Sequence, residues 1–247
     1  MSNYSHFLDR PIFKQIGQAA DHLGLECYVV GGYVRDRLIE RSTKMDLDFV
    51  TVGSGIALAK EVRKGFDKKP KLSIFKSFGT AHMKYQGVDL EFVGARKESY
   101  KRNSRNPIVE DGTLEDDQNR RDFTINAMAI CLNDARWGEL IDPFNGVADL
   151  ERRLIKTPLS PDKTFDDDPL RMMRAVRFAA QLDYRIDAAT LKSIRAHASR
   201  LKIVAPERIS VELNKIMAVD KPSYGLGLLF TSGIMKEILQ EICALQG

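Results

Sequence analysis

Apolar residues recur at helical spacing near the start of the chain, where Ile12, Phe13, Ile16, Ala19, Ala20 and Leu23 share one side. Pro11 suits a first helical position and Gly24 a C-terminal cap, so a helix is predicted over 11–23. Residues 27–30 form an apolar run ending in Gly31-Gly32, which predicts a buried strand followed by a brief helix over 34–39. From Asp46 to Val52 the pattern alternates, Met45, Leu47 and Phe49 against Asp46, Asp48 and Val50, and predicts a strand. A helix over 56–62 follows, then two strands over 80–85 and 88–93, joined by Gln86-Gly87 as a hairpin. Residues 96–121 are polar, without period, and predict a long mobile loop. Strand character returns over 125–132. Beyond Asp149 the segments 166–182, 187–199, 206–218 and 222–243 all favour helix. The plan is an α+β protein, with a mixed domain over 1–150 and an all-helical part over 151–247.

Composition narrows the class. The chain is 43% hydrophobic and 29% charged, an ordinary globular balance. It holds no run of 18 apolar residues, and its first residues lack the basic-then-apolar order of a secretion signal. A cytoplasmic protein without membrane partners is expected. Cys27, Cys131 and Cys243 stand far apart and form no CxxC pair, so they are expected as reduced thiols. The net charge of +4 is compatible with a nucleic-acid partner, and basic residues cluster at 97–105, 120–121 and 171–177. The chain stops at Gly247 soon after an apolar segment, which predicts a longer native protein. No His-Asp pair marks a phosphohydrolase site within these residues.

Candidate chemistry begins at Gly31-Gly32-Tyr33-Val34-Arg35-Asp36, followed ten residues later by Asp46-Leu47-Asp48. Paired glycines at a strand end let backbone N–H groups approach a phosphate, and the helix behind them favours anions. Asp46 and Asp48 sit at i and i+2, so a strand points both carboxylates to one face. Two carboxylates there repel unless a cation stands between them, and hard oxygen ligands suit Mg²⁺. Asp89 and Glu91 repeat the i, i+2 pattern. Glu91 is the first choice for a third carboxylate because it precedes Phe92 and Val93; Asp89 is the alternative.

GGxVRD followed by DxD resembles the first motif of the nucleotidyltransferase superfamily that includes bacterial CCA-adding tRNA nucleotidyltransferases and poly(A) polymerases. Further motifs follow in family order. Arg120-Arg121-Asp122-Phe123-Thr124-Ile125-Asn126 resembles the second, the stretch from Asp142 to Leu150 the third, Asp167-Asp168-Pro169-Leu170-Arg171 through Phe178 the fourth, and Pro206-Glu207-Arg208 with Glu212 the fifth. The fourth commonly begins Glu-Asp and here reads Asp167-Asp168.

The resemblance implies a polymerase-β-like head with a mixed β-sheet, then an all-α neck and the start of a body region. It implies catalytic carboxylates Asp46, Asp48 and Glu91, with two Mg²⁺ ions on Asp46 and Asp48. Gly31, Gly32, Arg35, Arg120, Arg121, Asp122 and Asn126 are expected to hold the nucleotide. Asp168 and Arg171, read as i and i+3 on one helix face, are expected to select the base. A carboxylate beside a guanidinium matches the donor–acceptor edges of cytosine and adenine, while uracil and guanine present the reverse order. Unpaired buried polar groups cost roughly 1–3 kcal/mol each, which would reject U and G. Arg174, Arg177 and Arg208 are further expected contacts to nucleotide or RNA. The implied activity is template-independent addition of C and A from CTP and ATP to the 3′ end of tRNA. Poly(A) synthesis and CC-only or A-only addition are the alternatives, with a catalytically silent RNA binder behind them. The 96–115 segment is long enough to be the flexible loop linked in the family to completing CCA, which leans toward full CCA addition.

Overall fold

Strand β1 (Glu26–Val30) lies at the heart of a mixed sheet. Its other members are β2 (Asp46–Val52), β3 (Leu72–Phe75), β4 (Thr80–Tyr85) and β5 (Val88–Gly94). A separate hairpin of β6 (Arg96–Ser99) and β7 (Ile108–Asp111) follows, and β8 (Ala129–Cys131) and β9 (Leu140–Ile141) complete the seven-stranded sheet. The strand order is β3-β4-β5-β2-β1-β8-β9, with β2 and β5 parallel and the other ladders antiparallel. These features come from a computed structural model that describes residues 3–41, 46–99 and 108–244.

One face of the sheet packs on helices α1 (Pro11–Leu23) and α3 (Gly55–Lys64). Phe13 of α1 meets Phe49 of β2 edge-on at 6.2 Å between ring centroids, and Phe49 stacks on Phe92 of β5 at 5.2 Å. The opposite face is apolar at one end, where Tyr28, Val30, Val50, Ala95, Ala129 and Cys131 form a buried cluster. Toward the other end it carries the carboxylates. Helix α2 (Gly32–Leu38) begins where β1 ends.

Residues 96–99 and 108–121 carry more regular structure than the polarity of the segment predicts. Beside the β6–β7 hairpin it contains helix α4 (Leu114–Asn119); residues 100–107, the middle of the expected loop, lie outside the described residues. The hairpin register sets Arg96 opposite Asp111 and Lys97 opposite Glu110, pairs of opposite charge. Helix α4 is started by a capping box, Thr113 accepting from the Asp116 amide and Asp116 from that of Thr113. The expected strand over 125–132 shrinks to β8, because residues 124–126 turn as a short 3₁₀ helix.

The chain divides into two compact units. Among the described residues, 3–99, 108–121 and 125–147 make up the first, and 122–124 with 148–244 the second. After α5 (Gly146–Glu151), the second unit is helical. It comprises α6 (Pro161–Asp167), α7 (Leu170–Leu182), α8 (Ala188–His197), α9 (Pro206–Met217), α10 (Pro222–Thr231), α11 (Ile234–Ile238) and α12 (Gln240–Ala244). A small parallel pair, β10 (Leu154–Ile155) and β11 (Arg185–Ile186), is its departure from the all-helical expectation. Met172, Val176, Ala179, Ile216 and Leu229 are buried in its core. The helix expected over 222–243 is broken at Gly233, whose φ of 81° is left-handed. The one expected over 166–182 is broken at Asp168-Pro169: a proline disfavours helical backbone in the residue before it, and Asp168 is extended at φ −141°, ψ 101°. Among the described residues, no helix is long and apolar enough to cross a membrane.

Candidate functional site

The parallel β2–β5 ladder pairs Asp46 with Asp89 and Asp48 with Glu91, so all four carboxylates start from one face. Asp48 is half-buried, whereas Asp46 and Glu91 are exposed. The Asp48 carboxyl is pushed up to about 6. Burial is the main cause and the neighbouring Glu91 the next; the Arg121 cation opposes both, and Asp46 adds a smaller push. Asp89 faces a different set: His82 Nε2 stands 3.4 Å from its Oδ1 and Lys84 Nζ 3.5 Å from its Oδ2. Glu91 is thus the carboxylate brought to Asp48, while Asp89 stands beside Lys84 and His82 of β4.

Beside this group the chain turns at Gly31, with φ 72° and ψ −131°. A Cβ there would meet Arg121 Nη1 at 3.3 Å and Asp48 Oδ2 at 3.7 Å. The left-handed backbone angle is what calls for glycine here, and the end of the Arg121 side chain adds a tight approach. Arg35 turns inward from α2: its Nε donates to Asp36 Oδ1 at 2.8 Å and its Nη1 to Asn126 Oδ1 at 2.7 Å. Arg35 is 5% and Asn126 6% exposed, so the two form a buried brace behind the glycine turn.

Arg120 and Arg121 are held from α4 by Asp117, a completely buried carboxylate that the motifs do not single out. Arg120 Nε donates to its Oδ1 at 3.0 Å, with Nη2 on the same oxygen. Arg121 Nε and Nη2 reach Oδ2 at 3.0 and 2.9 Å. Burial pushes the Asp117 carboxyl up, but Arg121 and Arg120 together outweigh it and hold it below its usual range. Arg121 Nη1 also donates to the Asn126 carbonyl at 3.2 Å. The signal is present in the spacing: Asp117 lies three and four residues before the arginines, neighbours once 114–119 is helical.

The second unit gathers the other candidates. Asp122 Oδ1 accepts from the Phe123 amide at 2.8 Å, and its Oδ2 binds Arg174 Nε at 2.7 Å and Nη2 at 2.5 Å. Asp168 is not on the helix face shared with Arg171. It stands ahead of α7, where its Oδ1 accepts from the Leu170 amide at 3.1 Å and its Oδ2 lies 3.2 Å from Arg208 Nη2. The Arg171 amide still closes on the Asp168 carbonyl at 3.0 Å, and its guanidinium, 8% exposed, reaches the Thr164 carbonyl at 3.4 Å. Arg177 is a packing residue by geometry: Nε donates to Glu212 Oε2 at 2.6 Å, Nη1 to Gln181 at 2.9 Å, and the cation lies 3.8 Å from the Phe178 ring centroid. In the third motif, Asp142 caps α5 through the amides of Gly146 at 2.7 Å and Val147 at 3.0 Å. Asp149, 4% exposed, accepts from the Thr124 hydroxyl at 2.7 Å.

A family profile described as "Poly A polymerase head domain" matches residues 27–156. A second, "Probable RNA and SrmB- binding site of polymerase A", matches residues 183–245. An A-adding tRNA nucleotidyltransferase of Aquifex aeolicus (strain VF5) is 39% identical over 220 residues, 87% of this chain and 26% of that protein. A CCA-adding enzyme of Limosilactobacillus reuteri (strain DSM 20016) is 38% identical over 227 residues, 91% of this chain and 53% of the relative. Among solved structures, an apo form of a CCA-adding enzyme aligns with a TM-score of 0.87 at 30% identity, covering 97% of this chain and 58% of that one. A tRNA nucleotidyltransferase complexed with a primer tRNA and an incoming ATP analog aligns at 0.79 and 36% identity, covering 91% and 62%. The chain spans about half the length of the CCA-adding relatives it matches and about a quarter of the Aquifex protein. The head-domain profile alone takes in more than half of this chain, which therefore belongs to the poly A polymerase head-domain family.

Proposed function

We propose that this chain adds nucleotides to the 3′ end of tRNA without a template, taking C and A from CTP and ATP. The observation that carries the reading is the pairing of Asp48 with Glu91 beside the Gly31 turn and the Arg121 cation. It is the arrangement a triphosphate and an attacking hydroxyl need, in a family whose relatives are named for tRNA nucleotide addition. In the proposed reaction the RNA 3′ oxygen attacks the α-phosphorus in line. The bond from that phosphorus to the β-phosphate oxygen breaks, and pyrophosphate and the hydroxyl proton leave.

The donor set fits magnesium. Asp46 and Asp48 offer hard oxygens from one face, and the raised proton affinity of Asp48 marks a place where a cation relieves repulsion. Among the described residues no three His, Cys, Asp or Glu side chains cage an ion by themselves. Mg²⁺ binds through one or two carboxylates together with substrate phosphates. Two Mg²⁺ ions on Asp46 and Asp48 would supply charge neutralisation at the triphosphate and a more acidic 3′ hydroxyl. Around them the chain's own groups position the substrate. Gly31 and Gly32 are assigned to the triphosphate at the strand end, and Arg121 and Arg120 offer it positive charge fixed from Asp117. Arg35 and Asn126 keep the turn rigid.

In the second unit, Asp168 accepts from an exocyclic amino group and Arg171 donates to the adjacent ring nitrogen, the pattern shared by C and A. Asp122 orders Arg174, and Arg208 flanks Asp168; both cations are assigned to the incoming nucleotide or the RNA. The A-adding relative favours a second reading, addition of A alone.

The test is incubation of the chain with tRNA lacking its CCA end, Mg²⁺ and each nucleoside triphosphate separately. Addition of C from CTP and then A from ATP supports the reading. A alone, onto tRNA already ending in CC, supports the second. No extension under any combination overturns both.

A further inference from the structure

The face that carries the carboxylates continues past β5 to the edge of the sheet. Asp48 pairs with Glu91, Glu91 with His82 on β4, and His82 with Ser73 on β3, one row across four strands. In the next row Thr80 pairs with Phe75. Directly opposed residues share a face, so His82, Ser73 and Phe75 lie on the side of Asp48 and Glu91. Strands are spaced by about 4.8 Å, which sets β3 roughly 14 Å from β2.

This edge is chemically unusual. Phe75 is 51% exposed and Phe78 62%, with exposed Lys76 between them. Residues 68–76 contain four lysines and no aspartate or glutamate, while Lys84 on β4 is already paired with Asp89. Phe75 ends the edge strand β3 and Phe78 ends the 3₁₀ turn that follows it, and bare aromatic rings at a sheet edge invite a partner. An apolar protein surface would cover the rings and leave the lysines without counter-charge. A single-stranded nucleic acid meets both, since its bases stack on aromatic rings and its phosphates take the cations.

We propose that this β4–β3 strip is a seat for the single-stranded end of an RNA, with bases on Phe75 and Phe78 and phosphates on Lys76 and its neighbours. The row through His82 leads that end to Asp48 and Glu91. Only the direction of the strand rests on the proposed nucleotidyl transfer; the binding does not.

The test uses the full chain and a short fluorescent single-stranded RNA, with anisotropy read in EDTA and without nucleotide. Replacing Phe75 and Phe78 together by alanine should weaken RNA binding by about tenfold or more, with melting temperature and CTP binding unchanged. Tyrosine at both positions should keep the affinity and leucine should not, because stacking needs a ring. Unchanged affinity in the alanine variant overturns the proposal. So does full affinity in the leucine variant, which would make the edge a dock for another apolar surface. If the chain extends no RNA but the alanine variant loses RNA binding, the strip stands and the transferase reading falls. If the chain extends RNA and the alanine variant binds it unaltered, the strip falls and the transferase reading stands.

Discussion

Asp117 and Arg121 form a two-point ion pair in which the carboxylate is completely buried and both the guanidinium Nε and Nη2 lie within 3.0 Å of one oxygen. The same guanidinium touches the Asn126 carbonyl and crowds Gly31. One buried carboxylate therefore sets the position of the cation that lowers the proton affinity of Asp48. Removing one partner of a buried pair costs about 3–5 kcal/mol, because the other charge is left without compensation. Asp117→Ala is expected to lose about that much stability in urea unfolding. A loss below about 1 kcal/mol would mean that Arg120 and Arg121 do not depend on Asp117.

Asp48 should couple stability, pH and metal. Its folded carboxyl holds a proton up to about pH 6, above its ordinary value of 3.8. The stability it contributes is full below pH 3.8 and is lost as pH rises through 6, up to about 3 kcal/mol for a shift of some two units. Asp48→Asn is therefore expected to stabilise the metal-free chain at pH 7.5 and to give little advantage at pH 4. Mg²⁺ should raise the melting temperature of the wild type and not of the variant, and its uptake near pH 6 should release protons. Nucleotide addition should vanish in Asp48→Ala and in Asp46→Ala with the fold intact. A pH-independent gain in Asp48→Asn, or retained activity in either alanine variant, would contradict the assignment.

Legibility followed burial. Helix α1 occupies the residues its apolar spacing predicts, since Ile12, Phe13, Ile16 and Ala20 all face the core. Strand β2 has its predicted bounds because Leu47 and Phe49 are inward and Asp46 is not. Strand β3 escaped notice because an edge strand with Ile74 and Phe75 exposed needs no alternation. Helix α4 escaped because its fixed points are polar: a capping box at one end and Asp117 and Gln118 buried on their partners. Local spacing could not separate Glu91 from Asp89, both at i+2 on one strand face. The separation comes from β4, which brings His82 and Lys84 to Asp89. Likewise Asp168 and Arg171 fit a helix by spacing, until Pro169 forces the chain open between them.

The proposed selection of the base by Asp168 and Arg171 has a direct readout. Arg171→Ala should let UTP or GTP compete with CTP and ATP, measured as kcat/KM for each nucleotide on the same RNA. Each lost hydrogen bond to the wrong pattern is worth roughly 1–3 kcal/mol, or about 5- to 150-fold in discrimination. An equal fall for all four nucleotides would assign Arg171 to holding the Thr164 turn instead.

Arg177 and Glu212 test whether the fourth and fifth motifs meet for folding or for substrate. Their side chains are 9% and 5% exposed, and a 2.6 Å hydrogen bond joins α7 to α9. Burial, helped by the neighbouring Arg174 cation, pushes the Arg177 cation below its ordinary proton affinity, and Glu212 only partly restores it. That balance describes a charge kept in place by its partner. Glu212→Gln and Arg177→Met are each expected to lose about 3–5 kcal/mol, since each leaves the other group buried without full compensation. Arg177→Met combined with Glu212→Leu removes both charges and fills the space with apolar atoms. The double variant should regain most of the loss, and its coupling energy should exceed about 2 kcal/mol in urea unfolding. Additive single losses would mean that neither charge depends on the other. A double variant that folds as well as the wild type should also keep the KM for CTP and ATP. A rise in that KM would return Arg177 to the nucleotide.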